Sequence, residues 1–206
     1  MIARRVALAI VACGLATAAA RGAGARSYTI DPARSHATID VGKSGALSFA
    51  AGHTHEVAAS GIAGTMRVDL PHPEQSSVRI SIDAAALKIT GKGESAGDVP
   101  KVQETMAGPQ VLDVHRFPRM TFTSSSIDVT SRTDGTLHAT VTGDLKLRDV
   151  TRMITVPVTV RIEAAALTAS GTFSLKQTDY GIKPVSVGGV VSVKDAVNIS
   201  FTIVGR

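Results

Sequence analysis

Residues 153–162 read MITVPVTVRI, a run in which side chains of opposite character alternate with a strict period of two. The apolar positions are Ile154, Val156, Val158, Val160 and Ile162, and they alternate with Thr155, Pro157, Thr159 and Arg161. Successive side chains of an extended strand point to opposite sides, so this run predicts a β-strand with one apolar and one solvated face.

Weaker versions of the same alternation recur along most of the chain. They place apolar residues at Ala37/Ile39/Val41, Met66/Val68/Leu70, Val78/Ile80/Ile82, Met120/Phe122, Leu137/Ala139/Val141, Phe173/Leu175 and Val197/Ile199/Phe201/Ile203. A sheet with one apolar face must bury that face, either under a second sheet or by curling onto itself. If it curls, the enclosed space is apolar and suits a hydrophobic ligand.

The first 25 residues differ in character from the rest of the chain. Arg4 and Arg5 form a basic start, an apolar stretch follows at positions 6–15, and Ala-x-Ala patterns end at Ala20 and Ala25. This order is typical of a secretory signal peptide and is too short for a membrane span of about 20 residues. We therefore expect residues 1–25 to be a signal peptide and the mature protein to be periplasmic.

Cys13 offers an alternative processing site, because residues 10–13 read IVAC and resemble a lipoprotein motif. Cleavage there would leave only positions 6–11 as the apolar core, below the usual ~7–15 residues, so ordinary cleavage is favoured. The mature chain then has no cysteine, and hence neither a disulfide nor a thiolate nucleophile.

Composition narrows the function of the mature chain. Loss of three arginines with the signal lowers the formal net charge from +5 to +2, which argues against a nucleic-acid partner. Tryptophan is absent and aromatic residues make up 3% of the chain, so surfaces that stack bases or sugars are not expected. Residues 26–206 contain no linker and suffice for a single domain with a substantial core.

Local signals predict where the strands turn. Asp134-Gly135 predicts a tight hairpin, because both residues accept positive φ values. Pro157 requires an edge, a bulge or a position where its missing N–H does no harm.

A short helix is predicted at positions 99–106, either as a lid on a barrel or as packing filler. Glycines inside strand patterns suggest bends at barrel corners, at Gly64, Gly143 and Gly171.

Short motifs follow one another along nearly the whole mature chain. They read YTIDP at 28–32, SH at 35–36, VLDV at 111–114, RFP at 116–118, MTFTS at 120–124, TGDLKLRDVTR at 142–152 and TDYGI at 178–182. In order and spacing this set resembles the YceI-like family, lipocalin-like polyisoprenoid-binding proteins secreted by bacteria. The resemblance implies an all-β fold, an eight-stranded antiparallel lipocalin-like barrel with a short helical insertion, whose lumen takes a long isoprenoid chain.

The sequence departs from that family pattern in two places. Gln177 stands where an arginine is expected shortly before the TDYGI motif. Gly52-His53-Thr54-His55 replaces an apolar segment and resembles a His-bearing branch of the family, which need not share the polyisoprenoid ligand.

The expected partner is a hydrophobic small molecule in the lumen: a polyisoprenoid, a quinone or a similar amphiphile. An alkyl chain gains about 0.8 kcal/mol per buried CH₂, so a long tail needs no specific polar contact. No cofactor, nucleic-acid partner or stable membrane span is expected. The candidate lumen contacts are Ile39, Val41, Phe49, Met66, Val68, Ile80, Met120, Phe122, Val141, Phe173 and Phe201.

His53 and His55 are the one constellation of chemically versatile side chains. On a strand both would face the same side, where they could meet the polar end of a ligand or share a metal. A third metal ligand could come from His36, His115 or Glu56. The sequence holds no Gly-rich phosphate loop or zinc-type Cys/His cluster. We therefore expect binding rather than catalysis, with a His-dependent metal-binding or catalytic site on the barrel scaffold as the alternative.

Overall fold

The structure is a computed structural model that describes residues 24–44, 54–163, 165–187 and 191–206. One α-helix, α1, covers Val99–Ala107. The strands are β1 (Arg26–Thr29), β2 (His36–Ser44), β3 (His55–Ala59), β4 (Ala63–Val68), β5 (Ser77–Asp83), β6 (Leu87–Ile89), β7 (Arg119–Thr133), β8 (Thr136–Leu147), β9 (Val150–Ile162), β10 (Leu167–Lys176), β11 (Ser186–Val187) and β12 (Val191–Gly205).

All twelve strands in the described residues belong to one antiparallel sheet, in the order β1-β4-β5-β7-β8-β9-β10-β12-β2-β3-β6, with β11 paired to β12. Three long strands are each broken by a bend: β1 continues into β2, β3 into β4, and β5 into β6. The pairing continues across the bends, since β1 pairs with β4 and β2 with β3, while β4 pairs with β5 and β3 with β6. With each bent pair counted once and β11 set aside, the predicted eight-stranded, lipocalin-like antiparallel barrel is confirmed.

Backbone hydrogen bonds join the first strand to the last and curl the sheet into a barrel. The N–H of Thr29 donates to the carbonyl of Arg206 at 2.8 Å, and the N–H of Arg206 donates back to Thr29 at 2.9 Å. The buried hydroxyl of Ser35 accepts the N–H of Val204 at 3.0 Å, and Asp31 pairs with the guanidinium of Arg206. Residues of the first two sequence motifs, at positions 28–32 and 35–36, therefore help to close the barrel.

The alternation in β9 has the predicted consequence. Val156 and Val158 are buried, whereas Thr155 and Arg161 on the other face are exposed. Pro157 lies where its missing N–H costs little, because the ladder between β9 and β10 ends at Val158, the residue beside it. The exposed face of β9 is thus the polar face that the period of two indicated.

The hairpin predicted at Asp134-Gly135 is also confirmed. It joins β7 to β8, with φ of 34° at Asp134 and 76° at Gly135. Gly143, in β8, lies opposite a register shift in β7 between Ser124 and Ser126. A Cβ on Gly143 would come within 2.7 Å of Cζ of Phe122. Glycine at this position therefore leaves room for an aromatic ring that points into the barrel.

The predicted helix is confirmed as α1, which follows β6 in the chain and packs against it. β6 is an edge strand, and the side chain of Gln103 pairs with its free backbone groups as a neighbouring strand would. The N–H of Ile89 donates to Gln103 Oε1 at 2.9 Å, and Gln103 Nε2 donates to the carbonyl of Leu87 at 3.1 Å. The helix is thus fixed to the barrel wall by hydrogen bonds as well as by apolar packing.

We expect Gln103→Ala to destabilise the protein by about 1–3 kcal/mol, because two partly buried backbone groups of β6 lose their partners. The matched control is Glu104→Ala on the exposed side of the same helix, which should change stability by less than about 0.5 kcal/mol. Urea unfolding of both variants measures the difference. Equal midpoints would show that the Gln103 bonds contribute nothing net.

In the residues that the structure describes, α1 is too short and too polar to cross a lipid bilayer, and no candidate membrane-spanning helix is found.

Candidate functional site

The interior of the barrel contains a cavity of about 220 Å³. Side chains from strands that are far apart in the sheet line this cavity together, because the alternate residues of each long strand point inward. Two of its aromatic rings, Phe173 and Phe201, pack edge to face with centroids 6.3 Å apart. Seven of the candidate lumen contacts line this cavity: Met66, Val68, Ile80, Phe122, Val141, Phe173 and Phe201.

The remaining candidate contacts lie elsewhere. Val41 lines a second cavity, described below. Ile39 and Met120 are half-buried and pack against the core but line neither cavity. Phe49 lies outside the described residues. The lumen therefore gathers most of the predicted positions, while their contact with a ligand stays a prediction.

The few polar residues of the lumen lie at one end, in the turn between β4 and β5 and at the strand ends that flank it. There, the buried carboxylate of Asp69 accepts the N–H of His72 at 3.0 Å, and the N–H of Asp69 donates to the hydroxyl of Ser76 at 2.9 Å. Because these groups are occupied by the turn itself, the walls of the lumen offer almost only aliphatic and aromatic carbon. Apolar cavities of about 150 Å³ stay dry and bind small apolar molecules, and this one is larger.

A second cavity of about 380 Å³ lies at the α1 end of the barrel. Its apolar wall includes Val102 and Met106, the pair that the sequence placed on the apolar side of the helix. Its other wall carries polar and charged groups, unlike the lumen: Lys43, His55, Glu94, Asp98, Lys101, Thr105, Gln177 and Ser192.

His55 faces this second cavity, and its partner is a residue that the sequence did not suggest. Nδ1 of His55 lies 3.0 Å from Oε1 of Glu94, whose side chain is only 1% exposed. The two residues are 39 positions apart, so no pattern of local residue spacing predicts the pair. His53, its predicted companion, lies outside the described residues.

The candidate third ligands for a metal at His55 do not gather around it. Glu56 is adjacent on β3 and therefore faces the opposite side, where it pairs with Lys92 at 2.8 Å. The hydrogen bond from Lys92, followed by that from Thr90, holds the pKa of Glu56 below its usual value. His36 and His115 are exposed. Among the described residues, no three His, Cys, Asp or Glu side chains cluster closely enough to hold a metal ion.

Comparison with known proteins assigns the family. The family model described as the YceI-like domain matches residues 28–205. The chain belongs to the YceI-like family. A "UPF0312 protein" of Pseudomonas savastanoi pv. phaseolicola is 30% identical over 183 residues, which cover 85% of this chain and 86% of that relative. The corresponding protein of Pseudomonas fluorescens is 28% identical over 84% of this chain and 85% of its own length.

Solved structures of similar shape agree with the YceI-like fold. BcnA of Burkholderia cenocepacia superposes with a TM-score of 0.66 at 23% identity, over 86% of this chain and 99% of that one. A polyisoprenoid binding domain from Saccharophagus degradans, implicated in plant cell wall breakdown, gives 0.63 at 14% identity, over 87% and 97%. At these identities the likeness concerns the fold.

The YceI-like motif near the C-terminus has a structural role here. Tyr180 is buried in a short 3-10 turn, Gln177–Tyr180, and burial, followed by the charge of Asp179, raises the pKa of its hydroxyl. The carboxylate that caps this turn belongs to Asp195, which accepts the N–H of Thr178 at 2.9 Å. That bond, followed by the one from the Thr178 hydroxyl, lowers the pKa of Asp195.

Gln177, which departs from the expected arginine, lies on the wall of the second cavity. It is buried, and its Nε2 donates to the carbonyl of Lys194 at 2.8 Å. The amide therefore holds β12 against the 3-10 turn and adds a polar but uncharged group to the cavity.

Proposed function

We propose that this YceI-like protein binds a long, slim hydrophobic ligand in the barrel lumen: a polyisoprenoid, a quinone or a similar amphiphile. The observation that carries the proposal is the lumen cavity of about 220 Å³, whose walls are almost wholly apolar. Each buried CH₂ of a prenyl tail contributes about 0.8 kcal/mol, so the tail alone supplies substantial affinity. The solved polyisoprenoid binding domain of the same fold supports the choice of ligand class.

Native mass spectrometry of the protein purified from a bacterial envelope tests this proposal. We expect a co-purified lipid whose mass is that of a prenyl chain with a small head. Protein recovered with a bound metal and without lipid would contradict the proposal and favour the His-dependent alternative.

The proposed location is the periplasm, after removal of residues 1–25. The basic start at Arg4 and Arg5 and the Ala-x-Ala patterns support it. N-terminal sequencing of envelope-extracted protein should begin at Arg21 or Arg26. A mature chain that starts at a lipidated Cys13 would show membrane anchoring instead.

One observation keeps the His-dependent alternative open: His55 has a buried carboxylate partner that fixes the orientation of its imidazole. The double variant His53→Ala/His55→Ala separates the two hypotheses at pH 7.5. Under the lumen proposal, the variant still retains a prenyl tail and loses no metal. Loss of bound metal with lipid binding intact would establish the alternative.

A further inference from the structure

The second cavity and the lumen follow one another along the same face of β2. Ala37 lines the lumen, Val41 lines the second cavity, and Ile39 lies between them. Side chains two residues apart on a strand share a face, and four residues span about 13 Å. A ligand with its tail in the lumen and its other end beside α1 would therefore pass Ile39.

Glu94 introduces a buried carboxylate at the far end of this path. The turn between β6 and α1 places it there: its N–H donates to the carbonyl of Gly91 at 3.1 Å, and Gly91 has a φ of +80°. The side chain is 1% exposed and forms part of the wall of the second cavity.

Only one oxygen of this carboxylate is occupied. Oε1 lies 3.0 Å from Nδ1 of His55, whereas Oε2 is buried and has no hydrogen-bond partner in the described part of the chain. An ionised carboxylate accepts hydrogen bonds but donates none. A buried acceptor without a donor is costly, and native proteins leave few such groups unexplained. Because Glu94 is part of the wall of the second cavity, that cavity suits a group that donates a hydrogen bond.

The charge of Glu94 restricts the chemistry of that group. A phosphate or carboxylate head beside Oε2 would bring two anions together in a site shielded from water. A carbonyl or ether oxygen has no proton to donate. A hydroxyl on a hydrocarbon chain meets both requirements, and the apolar side chains of the cavity, such as Val102 and Met106, accommodate the first carbons of that chain.

We propose that the second cavity binds the polar end of an amphiphile as an uncharged hydroxyl head, which donates its hydrogen bond to Oε2 of Glu94. This rests on the proposed function, because it assumes that the hydrocarbon tail occupies the lumen. His55 is the positioning residue, because it occupies Oε1 and leaves Oε2 as the oxygen without a partner. The protein thus selects prenyl alcohols, or lipids with an equivalent hydroxyl, over their phosphates and ethers.

The test compares three probes with one tail: geranylgeraniol, its methyl ether and its monophosphate. Titration of the purified protein by native mass spectrometry should show the alcohol bound about tenfold more tightly than the ether, since a hydrogen bond to a charged group is at stake. The monophosphate should bind more weakly than the alcohol.

Glu94→Leu should abolish the preference for the alcohol, because it weakens the binding of the alcohol and leaves the binding of the ether unchanged. Glu94→Gln, which retains an acceptor oxygen, should keep part of the preference. The matched control Glu104→Leu, on the exposed side of α1, should behave as wild type. The wild-type comparison does not depend on the folding of any variant.

The outcomes distinguish this inference from the lumen proposal. Equal binding of alcohol and ether by the wild type would leave the lumen function in place and overturn the head-group assignment, with water then the partner of Oε2. Tighter binding of the monophosphate would overturn it as well. No binding of any probe would overturn both.

Discussion

Phe122→Arg is expected to lower the affinity for geranylgeraniol by more than about 100-fold, because it puts an unpaired charge into a space lined by carbon. Phe122 lines the lumen from the β7 segment that pairs with β5, where it lies opposite Ile80. The guanidinium would have to remain in the cavity or pull water into it, and either outcome removes the contacts that a prenyl tail would use. The same change should cost about 3–5 kcal/mol of folding stability.

Thr123→Lys is the matched control, since Thr123 is the next residue of β7 and points to the exposed face. It should bind geranylgeraniol as wild type does and unfold within about 0.5 kcal/mol of it. Should Phe122→Arg fail to fold, Val129→Arg serves in its place. Val129 lines the lumen closer to the β7–β8 hairpin, where a long side chain reaches solvent. If the inward and outward variants bind alike, the ligand does not occupy the lumen.

Gly64→Ala should destabilise the protein by about 3–5 kcal/mol through two independent effects. Gly64 has a φ of +149°, which L side chains rarely adopt, and a Cβ built on it overlaps the backbone carbonyl of Arg79 on the neighbouring strand. A backbone oxygen inside a sheet cannot move away as a flexible side chain can. The residue follows the bend between β3 and β4, so the variant should disturb the strand pairing that gives the barrel its shape.

Two other glycines separate the effects. Gly61 has a φ of +66° but nothing within 4 Å of its Cβ position, so Gly61→Ala should cost only about 1–2 kcal/mol of backbone strain. Gly97 has neither constraint, and Gly97→Ala should lie within about 0.5 kcal/mol of wild type. Urea unfolding of the three variants should give this order. Equal losses at Gly61 and Gly64 would show that the sheet relieves the overlap at no cost.

The expectations that the structure confirms are those that depend on the spacing of residues within a short stretch of the chain. The period of two at residues 153–162 predicts a strand with one buried face, and the burial of Val156 and Val158 follows it. The Asp134-Gly135 hairpin and α1 were predictable for the same reason, since turn chemistry and helix periodicity lie within a few consecutive residues. The sequence did not predict the bends that divide three of the eight barrel strands. The two halves of a bent strand pair with different neighbours, as β1 pairs with β4 and β2 with β3. Such pairing depends on residues far apart in the chain, and local spacing does not record it.

The two cavities show the same division. Alternation places side chains such as Phe122 and Phe201 on the inner face, and this suffices to predict an apolar lumen. It does not reveal that Ile39 and Met120 pack against the core without lining either cavity, because cavity shape depends on the volumes of side chains from all the strands at once. It also does not reveal a second, more polar cavity beneath α1.

By itself, the sequence determined that the chain forms β-strands with one apolar face each, and it located the Asp134-Gly135 hairpin and the short helix. Its ordered motifs also determined the family. Each of these is encoded by the spacing of residues along the chain. Only the tertiary structure decided that Glu94 meets His55 across 39 residues, that Gln103 completes the edge of β6, and that Gln177 lines the second cavity. The physical reason is that a polar contact between distant segments depends on where the backbone closes, which residue spacing does not record.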